Sequence, residues 1–198
     1  MIWSYPRPAM QLTTRELLTA LHGMLFGGFF LMAIFGLMVE LIRSRHRSVH
    51  VELTPRGRTI ESLFLILMAA FGWLAVFTGT YVIYPWYRAK PPANTVDLTA
   101  YPRYLLLSHP NTAAWHNLGM EWKEHVAFFA TIAVTMLAFV LIRQRTALRQ
   151  QPQLRNAVLG FALLALVSCG VAAVFGALVN KAAPVTGGNT ITLIRSGQ

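Results

Sequence analysis

Two of the six histidines stand inside apolar runs, His22 in LHGMLFGGFF and His125 in EWKEHVAFFATIAVTMLAFVLI. An imidazole can donate from one nitrogen and accept at the other, and its free lone pair ligates metals or takes protons near neutral pH. In hydrocarbon it is costly without a partner, so an ionisable residue there is read first as functional. His125 also follows Glu121 by four residues, a spacing that lets two side chains of one helix reach a single ion. His109 and His116, from SHPNTAAWHNLGMEWKEH, would complete a small outer metal site with Glu121, and Glu124 is near. Plainer accounts stay open. Membrane histidines also hydrogen-bond to neighbouring helices or water, and loose sets of His and Glu are common in interfacial loops. Glu124 and Lys123 read most simply as side chains snorkelling toward water. His46 and His50 lie among arginines in IRSRHRSVHVELTPRGR and read as part of a basic loop.

The elements that carry these residues follow from charge spacing. Of 198 residues, 55% are hydrophobic and 12% charged, about half the charge of an ordinary soluble domain. Uncharged stretches at 17–39, 62–87, 126–142 and 156–180 each approach or exceed the ~20 residues that cross a bilayer. The expected fold is all-α: an integral membrane four-helix bundle, one domain over 1–198, with spans at about 15–43, 60–87, 118–142 and 154–181. Gly160, Ser168, Ala172 and Gly176 in the fourth span, and Gly23 and Gly27 in the first, are spaced for close helix packing. The first residues, MIWSYPRPAMQLTTRE, lack the basic start and short apolar core of a signal peptide. Cys169 is the only cysteine, which excludes an intrachain disulfide, a CxxC metal site and covalent CxxCH haem attachment. No phosphate-binding Gly-rich loop, nucleophile elbow or HExxH motif is present, so nothing marks the chain as catalytic on its own.

The formal charge of +10 invites a nucleic-acid reading that its placement opposes. Arg43, Arg45, Arg47, Arg56 and Arg58 crowd the connection after the first span, and Arg143, Arg145, Arg149 and Arg155 the one after the third. By the positive-inside rule these two loops are cytoplasmic, which puts both termini and a long 88–117 loop on the extracytoplasmic side. A loop of that length incurs ordering entropy that a docked partner would offset. It is therefore expected to face other membrane subunits or a soluble carrier, with Arg88 and Arg103 at the contact. A short interfacial helix is expected at 104–107, and the tail 182–198 is expected to need a neighbour to stay ordered.

Depth links the two membrane histidines. His22 precedes Arg43 by 21 residues and His125 precedes Arg143 by 18, which is about 31 Å and about 27 Å of helix. Both therefore sit near the outer edge of the hydrocarbon, on spans that can face each other across a four-helix bundle. Two neutral imidazoles at one depth could hold one haem b iron from opposite sides. Gly23 would let a flat ring approach, Phe26, Phe29 and Phe30 would pack against it, and Arg15, seven residues before His22, could pair with a propionate. In this the chain resembles four-helix membrane b-type cytochromes. The resemblance implies one haem b, a multi-pass subunit of the bacterial cytoplasmic membrane, and electron transfer between quinol and an outward-facing acceptor such as a periplasmic electron carrier. A non-redox anchor subunit and an outward-facing metal-binding membrane protein are the alternatives.

The topology is directly checkable. With Cys169 replaced by Ser, single cysteines at Ser48 and at Thr186 should label from opposite sides of the membrane. Labelling of both from one side would overturn the four-span arrangement.

Overall fold

The computed structural model of the protein describes residues 11–45 and 54–192. His46, His50 and the tail beyond Thr192 lie outside the described residues. Four helices are long and apolar enough to cross a membrane: Thr14–Arg43, Pro55–Tyr87, Pro110–Arg143 and Pro152–Ala182, of 30, 33, 34 and 31 residues. By that length and composition the chain is a multi-pass integral membrane protein.

Each span starts on a local signal. Thr13 and Glu16 form a reciprocal capping box ahead of the first, with Glu16 N–H donating to Thr13 Oγ1 at 3.3 Å and Thr13 N–H to Glu16 Oε2 at 2.7 Å. Thr54 caps the second, accepting from Gly57 N–H at 3.1 Å. Pro55, Pro110 and Pro152 occupy first-turn positions, where the missing N–H would be unsatisfied in any case. The third span thus begins at Pro110 rather than near 118. Apolar composition marks where hydrocarbon starts, whereas the helix itself runs on into the interfacial zone.

The first span packs against the second and fourth, and so does the third, with the third–fourth seam the most extensive. First and third are therefore diagonal. One half of the bundle is filled by Phe30, Ile34, Leu37, Leu65, Met68, Val134, Leu137, Leu141, Val158 and the alanines 130, 138, 162 and 165. Gly72 admits the Phe30 ring, since a Cβ there would lie 2.7 Å from Phe30 Cε2. The small residues buried in the fourth span are Ala162, Ala165 and Ser168. Gly160 and Gly23, expected at helix contacts, face away from their neighbours: a Cβ on either would meet nothing within 4 Å. At this arginine-bearing end, Arg145 binds Glu61, donates to Ser62 Oγ at 3.0 Å and to the Ile142 carbonyl at 3.3 Å, tying the second span to the third.

The opposite end carries a cap that includes the first and last described residues. Strand β1 (Gln11–Thr13) pairs antiparallel with β2 (Thr190–Thr192), Leu12 opposite Ile191. The Arg15 guanidinium lies 5.2 Å from the Trp86 ring centre and reaches the Thr186 carbonyl at 3.5 Å. Between the second and third spans, a short helix covers Pro102–Leu107. Leu106 packs with Tyr87, Met120, Val179, Ala183 and Val185 in a second apolar cluster. Asp97 accepts from the N–H and hydroxyl of Thr99 at 2.9 and 2.7 Å, which holds its carboxyl below the usual range and pins the loop tip. The connection buries Pro102 and Leu106 against the chain itself, and the tail as far as Thr192 pairs with β1.

Gly188 has φ +85°, and a Cβ there would collide with Thr14 Oγ1. Gly188→Ala should destabilise the terminal clasp by about 1–3 kcal/mol, the scale of one strained non-glycine residue. Hydrogen exchange should then accelerate at Thr14 and Thr190–Thr192, with the arginine-end core unchanged.

Candidate functional site

Between the two apolar clusters the buried core is interrupted. Among the described residues none is fully buried in the first span before Phe30, in the second from Trp73 to Trp86, in the third from Glu121 to Phe129, or in the fourth from Cys169 to Leu178. Nine helical residues correspond to about 13 Å of bundle in which no inward-facing side chain is sealed off. Wide π-helical turns at Leu21–Gly27, Gly79–Ile83 and Trp115–Met120 lie in or beside this layer on three different spans. Such turns insert an extra residue, rotate the facing of the residues after them, and occur often at functional sites.

His22 stands in the layer. Its Nδ1 is 3.1 Å from Thr78 Oγ1, while the Thr78 hydroxyl is 2.6 Å from the Leu74 carbonyl. A hydroxyl has one proton to give, and a carbonyl can only accept, so the Thr78 proton goes to Leu74. The Thr78 oxygen must then accept from His22 Nδ1–H. This assigns the neutral Nδ1–H form, in which Nε2 carries the lone pair, and the ring also hydrogen-bonds to the Ala75 backbone. The ring lies flat on Gly79, where a Cβ would stand 2.7 Å from Cε1 and 3.4 Å from Nε2.

From the diagonal span, the Lys123 ammonium is close enough to act electrostatically on the His22 ring. Its Nζ lies 3.1 Å from where a Cβ on Gly176 would be, so the bare backbone of the fourth span makes room for it. Trp122, next in sequence, donates from Nε1 to the Ser168 carbonyl at 3.0 Å and ties the third span to the fourth at this level.

The other residues singled out in the sequence are placed elsewhere. His125 is turned out of the bundle: its side chain is 68% exposed, its Nδ1 is 2.9 Å from the Glu121 carbonyl one turn back, and Glu121 Oε2 is 3.5 Å away. The two imidazoles therefore do not converge. Of the two, only His22 faces the interior, and it would be the one to hold an iron there. Arg15 is engaged by Trp86 and Thr186, Gly23 is exposed, and Phe26 and Phe29 pack on Phe71 with ring centres 6.1 and 4.7 Å apart. His116 Nδ1 lies 2.8 Å from the Tyr87 hydroxyl, and exposed His109 heads the third span. Among the described residues no three His, Cys, Asp or Glu side chains are grouped to hold a metal ion, so His109, His116 and Glu121 do not form the outer site.

Lys123, Thr78, Gly79 and Gly176 were not picked out as site residues by sequence reasoning. For Lys123 a signal existed: at 100° per residue it shares a helix face with Ala130, Val134 and Leu141, whereas His125 lies about 180° from Val134.

Nitrogen-15 spectra of labelled histidine should show the Nδ1–H tautomer for His22 in the intact protein. Thr78→Val, which removes the acceptor, should abolish that preference and leave the His125 signals unchanged.

Comparison with protein-family models, with curated proteins and with solved structures finds no match for this chain. Its character therefore rests on its own residues: a multi-pass helical membrane protein with an interrupted core that holds one imidazole and one ammonium.

Proposed function

We propose that this chain is the quinol-binding membrane subunit of a redox complex in the bacterial cytoplasmic membrane, with the capped end outward. The observation that carries the reading is the His22 imidazole in the interrupted layer, whose Nε2 is an acceptor in the Nδ1–H form. A quinol hydroxyl needs an acceptor, and this one lies at hydrocarbon depth where quinol resides. The arginine count favours placing the layer in the outer half of the bilayer. Thr78 and Gly79 hold the ring, so the acceptor is preorganised. A bound quinol would supply electrons to a one-electron acceptor of an outward-facing partner, and His22 Nε2 would take the hydroxyl proton. The chain positions the ligand and takes the proton, and the acceptor belongs to another subunit or a periplasmic carrier. Arg88 and Arg103 on the cap are the expected contacts for such a partner.

Haem b is the other group His22 would suit, as a nitrogen ligand to its iron. The purified chain decides between the two. Titration with a short-chain quinol should show saturable binding that weakens at least tenfold in His22→Ala, the scale of a lost hydrogen bond in a dry site, and persists in His125→Ala. A Soret band lost in His22→Ala would replace quinol by haem. Neither signal in the intact protein would overturn the redox reading.

A further inference from the structure

We propose that Lys123 is an oxyanion site, holding the anionic oxygen of an amphiphile that reaches the interrupted layer from the lipid. The inference goes beyond the quinol reading and rests on charge balance within the bundle. Lys123 is half-buried between the helices and, among the described residues, has neither an ion pair nor a hydrogen bond. An ammonium in that position is costly until an opposite charge joins it.

Among the described residues no carboxylate pairs with it. Glu124, the adjacent residue, bonds to the Tyr84 hydroxyl. Glu121 is turned outward beside His125. Glu16 is held by the capping box at Thr13, and Glu61 binds Arg145 at the far end. The group within reach is the His22 imidazole, which is no counter-ion. Gly176 lets Nζ sit close over the backbone of the fourth span, and among the described residues of the layer no side chain is fully buried. A ligand with a carboxylate or phosphate oxygen and an apolar body fits all three conditions: it neutralises Lys123, occupies the interrupted core, and arrives through hydrocarbon. A fatty carboxylate and a lipid phosphate share that chemistry.

The test uses the full chain in a neutral detergent, with decanoate, dihexanoyl phosphatidic acid and, as an uncharged match, decanol. One of the two anions should bind the intact protein and raise its thermal midpoint, the preferred one naming the source, while decanol does neither. Lys123→Met should lose about tenfold or more in affinity for that anion, the scale of one charge-assisted hydrogen bond. Without ligand it should unfold at a higher temperature than the intact chain, because an unpaired charge has been removed. Gly176→Ala, which pushes Nζ from its place, should weaken the anion several-fold while retaining the helical signal. His22→Ala should lose quinol binding and keep the anion, so the two proposals can fail separately. Equal binding of decanol and decanoate, unchanged anion affinity in Lys123→Met, or no anion binding by the intact protein would each overturn the proposal.

Discussion

The seam between the third and fourth spans is the contact on which the rest of the arrangement depends. In lipid, helices gain nothing from leaving water, so association rests on close packing and on hydrogen bonds between helices. Here Ala130 and Ala138 meet Ala162 and Ala165, and Trp122 donates to the Ser168 carbonyl. Small side chains allow the approach, and the indole bond sets its level. Once the Val134 face is turned inward, Lys123 must follow it and His125 must point away. The facing of these two residues is thus settled well below them, by alanines that carry no chemistry.

Above that seam the bundle gives up packing. A continuous core through the layer would seal every inward side chain and add dispersion energy, as it does from Phe30 to Leu141 and again around Leu106. Instead two wide turns and an unpaired ammonium lie in the layer, with a third wide turn just beyond it. Each is unfavourable in isolation, and their clustering on different spans is what distinguishes the layer from ordinary loose packing. The filled clusters on either side supply the rigidity that holds His22 and Lys123 in place.

The cap closes one end of this arrangement with the first and last described residues. Pairing of β1 with β2 brings residues far apart in sequence together, and Arg15 joins the start of the first span to Trp86 at the end of the second and to Thr186 in the tail. Residues 88–109 and 183–192 are packed against the chain's own helices and strand rather than standing free.

By themselves the residues determined the class and much of the architecture. Charge spacing alone specified four spans because a bilayer tolerates few charges and leaves backbone groups no partner but the helix. It also implied the short helix before Ser108 and the diagonal relation of the first and third spans. The site was only half legible. His22 was found because an imidazole in hydrocarbon is conspicuous from composition, and His125 was chosen with it for matching depth, a quantity that counting residues supplies. Which way each side chain faces is another matter: it depends on the rotation of every span about its axis, and that is set by helix contacts and by π-helical turns that break the 100° step. Only the tertiary structure could therefore turn His125 outward, bring Lys123 to the level of His22, and show that no carboxylate of the described chain meets it.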